Sequence, residues 1–165
     1  MEINRLDVYP HNFSEKIGYS EVRHLLEEYC ASSLGREEMQ ALEASADKED
    51  IVRALDETRE MITIMAGESP LPSLALVDCR DVLRRIRPQG TFIEEEELLD
   101  LLRMLETLHS LQRFFLEEHT TGERAVETFA YTYPRLASLL EDTPSFPKIE
   151  THLRSLLTEE GKLRD

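Results

Sequence analysis

The sequence predicts an all-α fold, an irregular multi-helix bundle. Three observations carry this. Long apolar stripes recur at the 3,4 spacing of one helical face, most clearly in Leu98, Leu101, Leu102, Leu105, Leu108, Leu111 and Phe115. Stretches containing Pro or Gly separate these stripes. There is no internal repeat and no sustained heptad, so several short amphipathic helices must bury their faces against one another rather than in a coiled coil. The chain has 165 residues, enough for one domain or two small packed units, and at that size roughly two thirds of the extended-chain surface can be buried.

Residues 1–18 contain Pro10 and Gly18 and are expected to form an irregular N-terminal arm. Residues 19–165 are expected to be the helical segment. Its first helix follows Ser20, a plausible cap, and carries Val22, Leu25, Leu26 and Tyr29 on one face. In "YCASSLGREEMQAL", Ala31, Ser32 and Ser33 end this helix and cap the next, because a Ser hydroxyl can accept from an orphan first-turn amide. Gly35 sits in the first turn of the new helix, where it costs about 1 kcal/mol relative to Ala. Close approach of a neighbouring helix would account for the missing side chain, and so would an accident of composition.

Asp47 and Asp50 resemble a cap with an acidic first turn, opening a helix over about 48–66. Its inward stripe is predicted to be Ile51, Leu55, Thr58, Ile62 and Met65, widened by Ala54 and Met61. Gly67 to Pro72 should stop it. Asp78 can cap a short helix carrying Val82, Leu83 and Ile86, which ends at Pro88 and Gly90. The leucine stripe predicts a helix over about 94–118, with "EEEE" at its positive end. "HTTGE" reads as a connection. Shorter helices are expected over Arg124–Tyr131 and over Arg135–Glu141, the latter opened by Pro134. A last helix over Lys148–Leu157 should turn Ile149, Leu153, Leu156 and Leu157 inward, and "TEEGKLRD" should form a turn.

The balance of 34 acidic against 19 basic residues gives a formal charge of −15. Such acidity opposes non-specific attraction to DNA or anionic lipid. Cys30 and Cys79 form no CxxC unit and are expected to be reduced structural thiols in a cytoplasmic protein. No apolar run approaches the ~20 residues needed to span a bilayer, so no membrane partner is expected. There is no GxxxxGK[ST] phosphate loop and no HExxH motif, and the five histidines are dispersed. No Cys–His or Ser–His signature is present. Catalytic, cofactor-binding and metal-ligating residues are therefore not assigned. The one basic patch is Arg80, Arg84, Arg85 and Arg87. It could touch nucleic-acid phosphate or an acidic protein surface, or balance Asp78, Asp81 and the acidic helix that follows. Tyr131 and Tyr133 could stack on bases or pack at a helix end.

Five segments in order, "SEVRHLLEEYCASSLGREEMQAL", "DKEDIVRALDETREM", "VDCRDVLRRI", "EEELLDLLRMLETLHSLQRFF" and "IETHLRSLLTEEGKLRD", resemble the amino-terminal region of the MutS-like family. The similarity is to its second bacterial branch, whose members usually carry a carboxy-terminal Smr domain, and it covers nearly the whole chain. The resemblance implies an all-helical core and lever segment of a longer protein, of which this chain is expected to be an excised N-terminal piece. It implies a parent that is an ATP- and Mg-dependent hydrolase, often an Smr-linked endonuclease, and a homodimer. DNA or the ribosome, including ribosomal RNA, would be partners through the parent, in recombination control, DNA repair or rescue of collided ribosomes. Tyr29, Ser32, Leu34 and Gly35 match a structural joint between two helices, not a DNA recognition helix, so Leu34→Asp and Gly35→Leu are expected to destabilise it. No catalytic residue carries over, and neither ATP nor Mg is expected on this segment. The alternative from the residues themselves is a stand-alone acidic helical adaptor that binds another protein through a leucine-rich face. A small enzyme with a spatially assembled site is a third reading.

Overall fold

A computed structural model describes residues 12–67, 70–121, 124–158 and 160–164, with backbone alone for 118–121 and 124–127. Most of the expected N-terminal arm lies outside these residues. Among the described residues the protein is helical as expected, except for one two-stranded antiparallel ribbon. It divides into two units, Met1–Leu55 and Asp56–Asp165.

The first unit holds α1 (Phe13–Lys16), α2 (Tyr19–Glu28), α3 (Ser33–Ala41) and the first part of α4 (Lys48–Ala66). Gly18 rather than Ser20 stands at the start of α2, at φ +71°. That left-handed conformation, which glycine adopts without a Cβ penalty, reverses the chain between α1 and α2 and leaves Ser20 inside the helix. The Asp47 cap of α4 is present, its Oδ1 accepting from the amides of Glu49 (2.8 Å) and Asp50 (3.1 Å).

In the second unit α4 ends and α5 (Arg80–Arg85), α6 (Glu95–Leu116), β1 (Glu118–Thr121), β2 (Arg124–Thr128), α7 (Phe129–Thr132), α8 (Pro134–Glu141) and α9 (Pro147–Leu156) follow. The helix expected over Arg124–Tyr131 is corrected. Residues 124–128 pair with 118–121 as strands, with Glu118 opposite Thr128 and Thr121 opposite Arg124, and only Phe129–Thr132 is helical. Thr120, Thr121, Val126 and Thr128 are β-branched, a type that loses side-chain freedom in a helix and suits a pleated strand.

α6 organises this unit. Its leucine stripe is buried as expected at Leu101, Leu102 and Leu105, which join Cys79, Leu153 and Leu157 in one apolar cluster. Further along, Phe115 joins Ile64, Leu136 and Ala137 in a second. There Phe114 meets Phe115 edge-on (centroids 5.0 Å apart) and Phe129 at 4.8 Å, and Phe129 meets Tyr133 at 5.8 Å. Tyr133 is thus a packing residue, whereas Tyr131 is exposed. Of the inward set expected on α9, Leu153 and Leu157 are buried, and Ile149 and Leu156 are not.

The face assigned to α4 is a second correction. Ile51, Leu55, Ile62 and Met65 are exposed, and the helix buries Ile64 instead, while Met61 packs against that cluster as its place in the expected stripe allowed. The helix also caps a distant neighbour. The Glu60 carboxylate accepts from the backbone amides of Arg135 (3.1 Å) and Leu136 (2.9 Å) in the first turn of α8. Pro134 opens α8 with no amide to donate, so Glu60 satisfies the next two orphan donors and places a negative charge at the positive helix end. Glu60→Ala is expected to cost about 1 kcal/mol, the usual worth of a lost cap, and urea unfolding of the variant checks it.

Candidate functional site

The turn at 29–35 is built by Ser32. Its hydroxyl accepts from the Gly35 amide at 3.0 Å and its extended backbone (φ −141°, ψ 161°) starts α3, as the spacing predicts. α2 and α3 pack together, and Gln40 donates to Glu27 at 3.4 Å. Leu34 and Gly35 are half-buried, while Tyr29 is 86% exposed. A Cβ built on Gly35 would lie 3.4 Å from the Ser32 hydroxyl and 3.7 Å from the Cys30 Cβ, both in the same turn. The tightness at Gly35 is therefore local to the turn.

The four arginines of the basic patch lie on α5 and just beyond it. Arg80 meets both carboxylate oxygens of Asp78, through Nε at 2.9 Å and Nη2 at 2.7 Å. Arg84 meets Asp81 at 2.8 Å. Arg85 pairs with Glu97 at the start of α6 and donates to the Phe92 carbonyl at 3.2 Å. Arg87 is exposed and has no ion pair among the described residues. Three of the four charges are thus matched one for one by the acids that charge balancing invoked. These pairs are exposed and screened by solvent, so they can exchange partners.

Local electrostatics follow from this. The Arg80 side chain, then the Arg80 backbone amide, hold Asp78 well below its ordinary value of 3.8, at about 2. The Glu94 amide and then Arg85 lower Glu97, which completes a reciprocal capping box with Glu94. Burial pushes the Cys79 thiol up, and both cysteines are free thiols. Because the folded Asp78 value is depressed, its contribution to stability is fully present above pH 3.8 and is lost as pH falls through about 2. Arg80→Gln is expected to return the Asp78 midpoint toward 3.8, read from its carboxyl carbon shift against pH.

Sequence reasoning missed a second polar constellation, on α6 and α9. Glu150 is 8% exposed, and its carboxylate contacts His109 Nδ1 at 2.9 Å and accepts from Arg154 at 2.8 Å. Arg154 also reaches Glu106 at 2.7 Å, and that hydrogen bond raises the Arg154 pKa above its ordinary value. A cleft of about 490 Å³ opens over this network, bordered by residues 73–75. The only signal in the sequence was spacing. Arg103, Glu106, Thr107, Ser110 and Arg113 share the side of α6 away from its leucines, which reads as a solvated face until α9 is placed beside it. Among the described residues no group of three or more His, Cys, Asp or Glu is arranged to hold a metal ion, and no helix is long and apolar enough to cross a membrane.

Comparison with known proteins gives a consistent set of relatives. Proteins named endonuclease MutS2 match at 26% identity over 147 residues in Alkaliphilus oremlandii, covering 89% of this chain and 17% of the relative. In a Geobacillus species the match is 24% over the same share of this chain and 18% of the relative. In Bacillus cereus strain B4264 it is 31% over 104 residues, 63% of this chain and 13% of the relative. The chain therefore spans less than a fifth of the length of these relatives. No protein-family model matches the chain, and no solved structure does.

Proposed function

We propose, from the chain's sequence relationship to the MutS2 branch of the MutS-like family, that it is a structural core and lever segment of a longer ATP-dependent DNA-binding protein. In this reading its work is mechanical. Nucleotide binding with Mg, hydrolysis, any nuclease chemistry and homodimer formation belong to other parts of the parent. The parent's roles would be recombination control, DNA repair or rescue of collided ribosomes.

One observation carries the reading. No residue of α1, α2 or α3 is buried. Val22, Leu25, Leu26 and Tyr29 on α2, and Ile51, Val52 and Leu55 on α4, are all at least 40% exposed. Apolar area left in water forgoes about 25 cal/mol per Å², and grouped exposed hydrophobics mark surfaces that another element covers. A scaffold segment whose core is completed by other parts of the same polypeptide has this character. The same exposed residues also suit an adaptor that docks a separate protein.

The test is a chimera in which this chain replaces the matched segment of the Alkaliphilus relative. A folded chimera whose ATP hydrolysis still responds to DNA is the expected result. A folded chimera that hydrolyses ATP without that response removes the lever role. A stable one-to-one complex of this chain with an unrelated protein, together with a chimera that has lost the response, selects the adaptor.

A further inference from the structure

The apolar stripe of α2 carries a partner assignment that rests on the core and lever reading and goes beyond it. Val22, Leu25, Leu26 and Tyr29 recur at the 3,4 spacing of one helical face, and their exposure runs from 45% at Leu26 to 86% at Tyr29. α2 packs against α1 and α3, yet the stripe stays open. Contact with α3 falls on another side of the helix, where Arg23 and Glu27 are half-buried and Gln40 donates to Glu27 at 3.4 Å.

A charge beside the stripe decides what kind of helix it fits. Arg23 stands three residues before Leu26 and is its neighbour on the helix surface. The Arg23 Nε is enclosed by protein and has no acceptor. It is the one nitrogen of this guanidinium closed off in that way, which leaves both Nη nitrogens open to an incoming group. Arg23 makes no ion pair among the described residues, in a chain with 34 acidic and 19 basic residues. The one acid three or four positions away on the helix is Glu27, which Gln40 and His24 (3.8 Å) flank instead. Arg before Glu is also the weaker order for such a pair. A guanidinium held at Nε and free at both Nη nitrogens is ready to take a carboxylate through two parallel hydrogen bonds. Arg and Tyr are the residue types most often found as interface anchors, and Arg23 and Tyr29 both border this stripe. The matched segment is 17–18% of the Alkaliphilus and Geobacillus relatives, so a parent of that size has ample chain to supply the occupant.

We propose that the α2 stripe docks an amphipathic helix from the remainder of the parent polypeptide, and that this helix carries an Asp or Glu beside its own apolar stripe, paired with the Arg23 Nη nitrogens.

The test is binding of this chain to a MutS2 relative from which the matched segment has been deleted, measured by calorimetry at two ionic strengths. Saturable one-to-one binding is expected. Arg23→Gln should weaken it at least about tenfold, the scale of a lost charged hydrogen bond, and remove most of its salt dependence. Arg23→Lys should recover part of the loss, because an ammonium keeps the charge but not the fork. Leu25→Ser, at a site 57% exposed, should weaken binding with thermal unfolding unchanged. Arg36→Gln, at an exposed arginine of α3, should leave binding intact. Binding indifferent to both Arg23→Gln and Leu25→Ser overturns this docking surface and leaves the scaffold reading standing. Binding that needs Leu25 but keeps its affinity and salt dependence in Arg23→Gln overturns the carboxylate partner. No binding to a folded relative overturns both the surface and the scaffold reading. Self-association of the chain alone, abolished by Leu25→Ser, gives the stripe to a second copy and overturns the proposed occupant.

Discussion

Ile64→Ala is expected to destabilise the second unit by about 2–4 kcal/mol, the range for emptying a fully buried aliphatic site. Ile64 is 1% exposed and shares its cluster with Phe115, Leu136 and Ala137. The aromatic stack of Phe114, Phe115 and Phe129 is part of the same packing, so the cavity has limited means to collapse. Met65, the next residue, provides the control. It is 78% exposed, and Met65→Ala should stay within about 0.5 kcal/mol of the wild type. Urea unfolding followed at α6 amides separates the two. A loss at Met65 as large as that at Ile64 would mean that α4 also buries the side that carries Met65.

Gly161→Ala is expected to cost about 1–3 kcal/mol, from left-handed backbone strain and overpacking. Gly161 has φ +80°, and a Cβ there would stand 2.5 Å from Leu99 Cδ2. The turn around it is closed by hydrogen bonds from Thr158 N to Lys162 O at 2.7 Å and from Arg164 N to Leu156 O at 2.8 Å. These fold the segment after α9 back beside it, where Leu157 and Leu163 form a bridge. Relief therefore requires either Leu99 to leave its rotamer or the turn to open. Gly90 has nearly the same φ, +82°, but nothing within 4 Å of its would-be Cβ. Gly90→Ala should show the backbone strain alone, and the difference between the two variants isolates the Leu99 contact. Equal losses would show that the contact costs nothing.

The sequence was most legible where local signals agree. The bounds of α4, the Asp47 cap, the Pro134 start of α8 and the leucine face of α6 each rest on residues within one or two turns of each other. It was least legible where a partner distant in sequence decides. The stripe of Ile51, Leu55, Ile62 and Met65 is the more apolar side of α4, and only contact with Phe115 and Leu136 selects Ile64. The Glu60 cap on α8 joins residues 75 and 76 positions apart, which no local motif reports. The ribbon at 118–128 was concealed by the helical signal on both sides, although its β-branched residues pointed to strands. The α6–α9 cluster was hidden for the same reason as Glu60, because His109 and Glu150 are 41 residues apart.

The most direct measurement is hydrogen exchange of the α2 and α4 amides, with and without a MutS2 relative from which the matched segment has been deleted. A completed core requires the deleted protein to bind this chain in trans and cover the exposed apolar residues Val22 and Leu25 of α2 and Ile51 and Leu55 of α4. Exchange at those helices should then slow by at least about tenfold, equivalent to roughly 1.4 kcal/mol of added protection. Unchanged exchange with a folded, saturating partner would contradict a scaffold whose core is shared with the rest of its polypeptide.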